Sequence, residues 1–184
     1  MSEYQIIRFC APTLAGLKTA SLFCCDAPDE AELLGQLRHW NTSLAPKGLR
    51  MLPLRIWNGR ALIYLYRPKA LARDLACEDA ACLLNGSGYD GTEPSCCLRC
   101  LMDRLQCQKD GFPHEIGLFL GYPPEDVRGF IENETRNYKF TGYWKVYGDE
   151  AYARAAFAKY KKCTDIYCRS WRSGASLEAL TVAG

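Results

Sequence analysis

The chain has 184 residues, 23 basic and 21 acidic, for a net charge of +2; so even a balance gives no ground for a nucleic-acid or anionic-membrane partner. Hydrophobic residues make up 48% and charged residues 24%, an ordinary globular composition, and no apolar run approaches the roughly 18 residues that span a bilayer. One domain over residues 1–184, with a sizeable core, is the expectation at this length.

The first residues, MSEYQIIRFC, lack a basic stretch followed by a long apolar run, so no secretory signal is expected and a cytosolic location is. Eleven cysteines are an odd number in a chain large enough to fold without staples, which reads as reduced thiols. Buried, such residues act as small hydrophobes.

Glu3 to Cys10 puts Ile6, Ile7 and Cys10 on one helical face, while the β-branched Ile6-Ile7 pair also suits a strand; a short helix ended by Pro12 is the favoured reading. Leu17 to Cys25 alternates as a strand, with Leu17, Thr19, Ser21 and Phe23 opposed to Lys18, Ala20 and Leu22. Asp26 to Asp29 is a turn and N-cap for a helix from Ala31 to Trp40, where Leu33, Leu34, Leu37 and Trp40 have helical spacing. Asn58-Gly59 predicts a hairpin over 50–66, because both central residues of a type I′ turn need positive φ. Pairing outward sets Ile56 against Ala61, Leu54 against Ile63 and Leu52 against Leu65 on a core-facing side. Arg55, Trp57, Arg60, Tyr64 and Tyr66 take the other side.

Two short helices follow, Lys69 to Ala76 and Glu78 to Leu84, then a loop at Asn85–Pro94 that is the one candidate domain boundary. Ser95 or Thr92 caps the next helix, which runs to about Gln108 with Leu98, Leu101, Met102 and Leu105 as its buried stripe. Over Gly111–Ile131, Ile116, Leu118, Phe119 and Leu120 form one short helix. Gly121 and Pro123-Pro124 break the chain, and Val127, Phe130 and Ile131 line a second helix. The spacing is that of a helix-turn-helix, but the second helix opens on Pro124, Glu125 and Asp126, which phosphate would repel. A structural helical corner is therefore predicted, not a DNA reader.

Tyr138 to Tyr147 alternates as a strand, Tyr138, Phe140, Trp144 and Val146 against Lys139, Tyr143, Lys145 and Tyr147. Asp149 caps the longest helix, whose apolar face holds Ala153, Ala156, Phe157, Tyr160, Cys163, Tyr167 and Trp171; Gly174 ends it, and Ser176 to Leu180 adds a last turn. Runs of helices between locally paired strands make an α+β fold: a small, largely antiparallel sheet packed with several helices in one compact domain.

Four phrases, CAPTLAGLKTASLF (Cys10–Phe23), LIYLYRP (Leu62–Pro68), FPHEIGLFLGYPPEDVRGFI (Phe112–Ile131) and GYWKVYG (Gly142–Gly148), resemble a bacterial family, domain of unknown function 3793. The resemblance runs nearly the whole chain. It implies one compact domain in a bacterial, mostly anaerobic, cytosol, encoded near ferrous-iron transport and flavodoxin genes, and it supplies no activity and no site residues.

Three places suit chemistry. Cys97 and Cys100 form a CxxC that suits zinc or iron, or a dithiol. Cys107 stands about 10 Å further along a straight helix and cannot complete a mononuclear site with Cys100. Cys10, with Lys18 near it, is a candidate thiolate nucleophile, for which His114 could act as base and Glu115 as its orienter. His114 and Glu115 equally well open a helix after Pro113. Lys18, Arg67 and Lys145, with Tyr147 beside them, suit a small anionic ligand if their strands share a sheet; Glu115 and Asp126 are the internal partners that would otherwise neutralise them. The aromatic and basic sheet face suits stacked planar rings, unless a helix covers it. Nucleophile elbow, HExxH, P-loop and dinucleotide motifs are missing from the sequence. Three functional readings stay open: a non-catalytic cytosolic binding protein tied to iron or redox state, a thiol-dependent enzyme using Cys10, and an interaction module without a small ligand.

Overall fold

The computed structural model describes residues 1–107 and 111–184. Its main sheet has β1 (Ala20–Asp26), β2 (Arg50–Trp57) and β3 (Arg60–Tyr66) in the antiparallel order β1-β3-β2. Asn58 and Gly59 both have positive φ, 45° and 71°, as the I′ turn demands. Ile56 pairs with Ala61 as predicted, but the register then slips. Arg55 faces Leu62, Pro53 faces Ile63, Leu52 faces Tyr64 and Met51 faces Leu65. The predicted Leu54–Ile63 and Leu52–Leu65 pairs are thus corrected by a bulge at Leu54. Pro53 has no N–H to give the ladder, so it sits on edge strand β2, where the bulge absorbs the irregularity.

The slip decides which side chains reach the core. Met51, Ile56, Ala61, Ile63 and Leu65 join Phe23 and Cys25 against α1 (Glu3–Leu14) and α2 (Glu30–Leu44). Tyr64, on the opposite side, is fully buried and stacks on Tyr66 at 4.9 Å, so that side is no open stacking platform. Ser2 opens α1 through a capping box with Gln5. The helix runs two residues past Pro12, whose carbonyl then accepts from the N–H groups of Leu17 and Lys18 and turns the chain. That turn takes Leu17, Lys18 and Thr19 out of the expected strand, and β1 begins at Ala20. Asp29 caps α2 as predicted, and Asn41 ties α2 to β2 by bonding both the N–H and the carbonyl of Met51.

The chain gathers into two compact units, residues 1–69 with 160–184, and residues 70–159. The loop at Asn85–Pro94 lies inside the second. That unit holds α4 (Glu78–Gly86), α5 (Pro94–Cys107), α6 (Ile116–Phe119), α7 (Pro124–Asn133) and a two-stranded ribbon, β4 (Phe140–Thr141) with β5 (Lys145–Val146); α3 (Pro68–Leu75) leads into it. The helix α8 (Glu150–Arg172), capped by Asp149, begins there, and α9 (Leu177–Leu180) belongs to the first unit.

Glu93, not Ser95 or Thr92, caps α5: its carboxylate accepts from the Ser95 hydroxyl and the Cys96 N–H, which hold it down to about 2. Gln108, the expected end of α5, is outside the described residues. The predicted strand from Tyr138 to Tyr147 is instead the β4–β5 hairpin, with Phe140 facing Val146 and Thr141 facing Lys145. Alternation fits one long strand and two short arms equally; the turn at Gly142-Tyr143 breaks it. The chain is thus α+β, with its strands in two sheets. Among the described residues no helix is long and apolar enough to cross a membrane.

Candidate functional site

Two of the family-like phrases meet in the second unit, and small residues let them meet. A Cβ on Gly117 would stand 2.8 Å from Val127, so α6 lies against α7 only because that side chain is absent. A Cβ on Gly129 would stand 2.4 Å from the Tyr147 ring, which fixes how closely the segment after β5 approaches α7. Asp126 clamps the arrangement. It is buried, and its carboxylate accepts from the indole N–H of Trp144 and from the backbone N–H groups of Tyr147 and Gly148, each at 2.7 Å. Three donors on one carboxylate satisfy a buried charge that would otherwise be costly.

Between these elements lies a cavity of ≈ 290 Å³ with walls of Phe112, Ile116, Val127, Phe130 and Trp144. Tyr122 stacks on Trp144 at 4.8 Å, and Trp144 meets Phe157 edge-on at 4.5 Å, so the indole cannot swing. Two basic side chains line the same space. His114 stands edge-on to Phe130 at 4.8 Å, and the Lys145 ammonium lies 4.6 Å from the Tyr138 ring centre and 5.9 Å from that of Phe130. Among the described residues no carboxylate stands within ion-pair reach of Lys145. A second cavity, ≈ 520 Å³, shares Phe112 and His114 and is lined by Cys100, Cys107, Arg104 and Glu115.

The sequence candidates are divided between the two units. Lys18, Arg67 and Cys10 belong to the first unit, and Lys145, Tyr147, His114, Glu115, Cys97 and Cys100 to the second. Glu115 does not orient His114. It is buried and accepts from the Tyr89 hydroxyl at 2.9 Å and from Arg104 at 3.4 Å. Burial, then the Glu115 charge, push the Tyr89 hydroxyl upward. Tyr147 donates its hydroxyl to the Glu134 carbonyl. Arg67 is held by carbonyls: Nε donates to Thr13, and Nη2 to Leu14 and Val182. The first two are the last carbonyls of α1, where the helix dipole favours a cation, so Glu115 and Asp126 are not its partners.

Cys10 is fully buried, and burial pushes its thiol up to about 12 despite the attraction of Lys18. A nucleophile needs the reverse shift, which argues against the Cys10 reading. All eleven cysteines are free. Cys97 is buried with its thiol directed at the Gly91 carbonyl at 3.5 Å, burial raising it, and Cys100 is half-buried. Among the described residues no three His, Cys, Asp or Glu side chains gather as a metal site, so the CxxC finds no third ligand among them.

Lys18 has a measurable signature. Burial lowers its ammonium to about 8 from 10.5, partly offset by Cys10. Between those values the unfolded chain holds a proton that the folded chain has released, so stability rises with pH. Replacing Lys18 by Met removes that rise, so the stability of the variant relative to the native chain falls from pH 7 to pH 9. Urea melts at pH 7 and 9 check it. Cys10 works oppositely above pH 9, where the unfolded thiol ionises first, so the melts stop at pH 9.

The sequence reasoning missed Asp126, Trp144 and Phe130 as parts of one site. Their signal was the pair of family-like phrases that carries all three. A family model described as protein of unknown function (DUF3793) matches residues 6–181. No curated protein and no solved structure matches the chain.

Proposed function

The chain belongs to the DUF3793 family, and on that premise we propose that it is a cytosolic, non-catalytic protein that binds a small planar molecule in the cavity between α7 and the β4–β5 ribbon. One observation carries this reading: two separate family-like phrases, 112–131 and 142–148, supply nearly the whole wall of a single aromatic cavity. Its ≈ 290 Å³ is at the small end of ligand pockets, which suits one or two fused rings and is too little for a dinucleotide. Flat walls at Phe112, Phe130 and Trp144 favour flat ligands. A thiolate site at Cys97 and Cys100 has less behind it, because no third ligand joins them among the described residues.

The test is a fragment screen by ligand-observed NMR on the full chain. One- and two-ring aromatic fragments bind the native protein, and Phe130→Ala weakens them about tenfold or more by opening one wall. Equal binding of the fragments to both proteins, with the variant still folded by circular dichroism, would place them elsewhere and remove the reading.

A further inference from the structure

We infer that the ligand is an aromatic acid, its ring against Phe130 and Trp144 and its carboxylate or phosphate on Lys145, an inference that rests on the ring-binding role of this cavity. The walls of the cavity hold two opposite charges, and they are not equally spent. The Asp126 carboxylate accepts from one indole and two backbone N–H groups, which offset its charge within the wall. Among the described residues the Lys145 ammonium meets the rings of Tyr138 and Phe130, and no carboxylate reaches it. Ring faces attract a cation weakly compared with an anion at contact distance. The charge therefore remains available, and it borders the cavity at the same ring that His114 abuts.

Other ligand classes fit less well. A cationic ligand would face the Lys145 ammonium that lines the same cavity, and like charges would oppose each other. A neutral ring would leave the half-buried ammonium to water and gain nothing from its charge. A polyphosphate needs several cations, and among the described residues the cavity has Lys145 beside one imidazole. A single acid on a one- or two-ring body matches both the charge and the volume.

Isothermal titration of the full chain with 2-naphthoate, 2-naphthyl phosphate and uncharged 2-naphthamide tests this. At least one of the two acids should bind tenfold or more tighter than the amide, and the tighter acid identifies carboxylate or phosphate as the matching group. Lys145→Met should erase the preference and leave the amide unchanged, while Lys145→Arg should retain most of it. An amide that binds as tightly as both acids, or a preference that survives Lys145→Met, overturns the acid while leaving the ring pocket standing. Failure of all three compounds to bind removes the ring pocket and the acid together.

Discussion

Replacing Asp126 by Ala destabilises the chain by about 4 kcal/mol. Three charge-assisted bonds are lost, and the Trp144 indole N–H is left buried without an acceptor. The effect is large because one carboxylate joins the first turn of α7 to Trp144 and to the backbone that leaves β5. Asp126→Asn is the sharper probe. Its remaining carbonyl oxygen can still accept from Tyr147 and Gly148, but its amide nitrogen then faces the indole N–H, donor against donor. Roughly half the loss is expected from Asn. Urea denaturation should show a lower midpoint for both, in that order. An Asn variant as stable as the native chain would mean that the indole bond contributes nothing.

Arg67→Met is the second large loss, about 3 kcal/mol, because the carbonyls of Thr13, Leu14 and Val182 lose their shared donor. Arg67→Lys recovers little, since an ammonium on a flexible stem does not reproduce the planar fork that reaches three acceptors. The outcome also separates two roles for this cation. A carbonyl-holding Arg67 changes the melting temperature when replaced and leaves ligand binding alone. An anion-binding Arg67 does the opposite, so an unshifted melting temperature would return it to the candidate ligand residues.

What the sequence shows and what it hides divide along a physical line. The turn at Asn58-Gly59 is legible because positive φ is a local demand that few residues meet. The register beyond it is not, because a bulge balances a missing donor against packing on both sides of the sheet, although Pro53 in an otherwise regular strand already marks the place. The β4–β5 hairpin hides inside its own alternation, since two arms of a ribbon keep the period of one strand; Gly142 is the clue. Asp126 reads as an acid in the first turn of a helix and as an internal partner for the cations, and only the fold reveals that its oxygens accept from Trp144 and from the backbone after β5. For Cys10 the sequence identifies the right neighbour, Lys18, and the wrong sign, because burial outweighs a nearby cation and burial is not local.

The division of the first unit into residues 1–69 and 160–184 has a consequence for synthesis. Leu177 packs in the core cluster that includes Ile6 and Leu14, and Val182 donates its N–H to the Leu14 carbonyl. On a ribosome adding about 5–20 residues per second, the stretch 70–159 occupies roughly 5–20 s. For that interval α1 and the three-stranded sheet exist without the segment that completes their core, while every part of the second unit emerges contiguously and can close at once. Residues 160–184 finish the core that residues 1–69 begin, and until they emerge its apolar side is what a chaperone or a neighbouring nascent chain would meet.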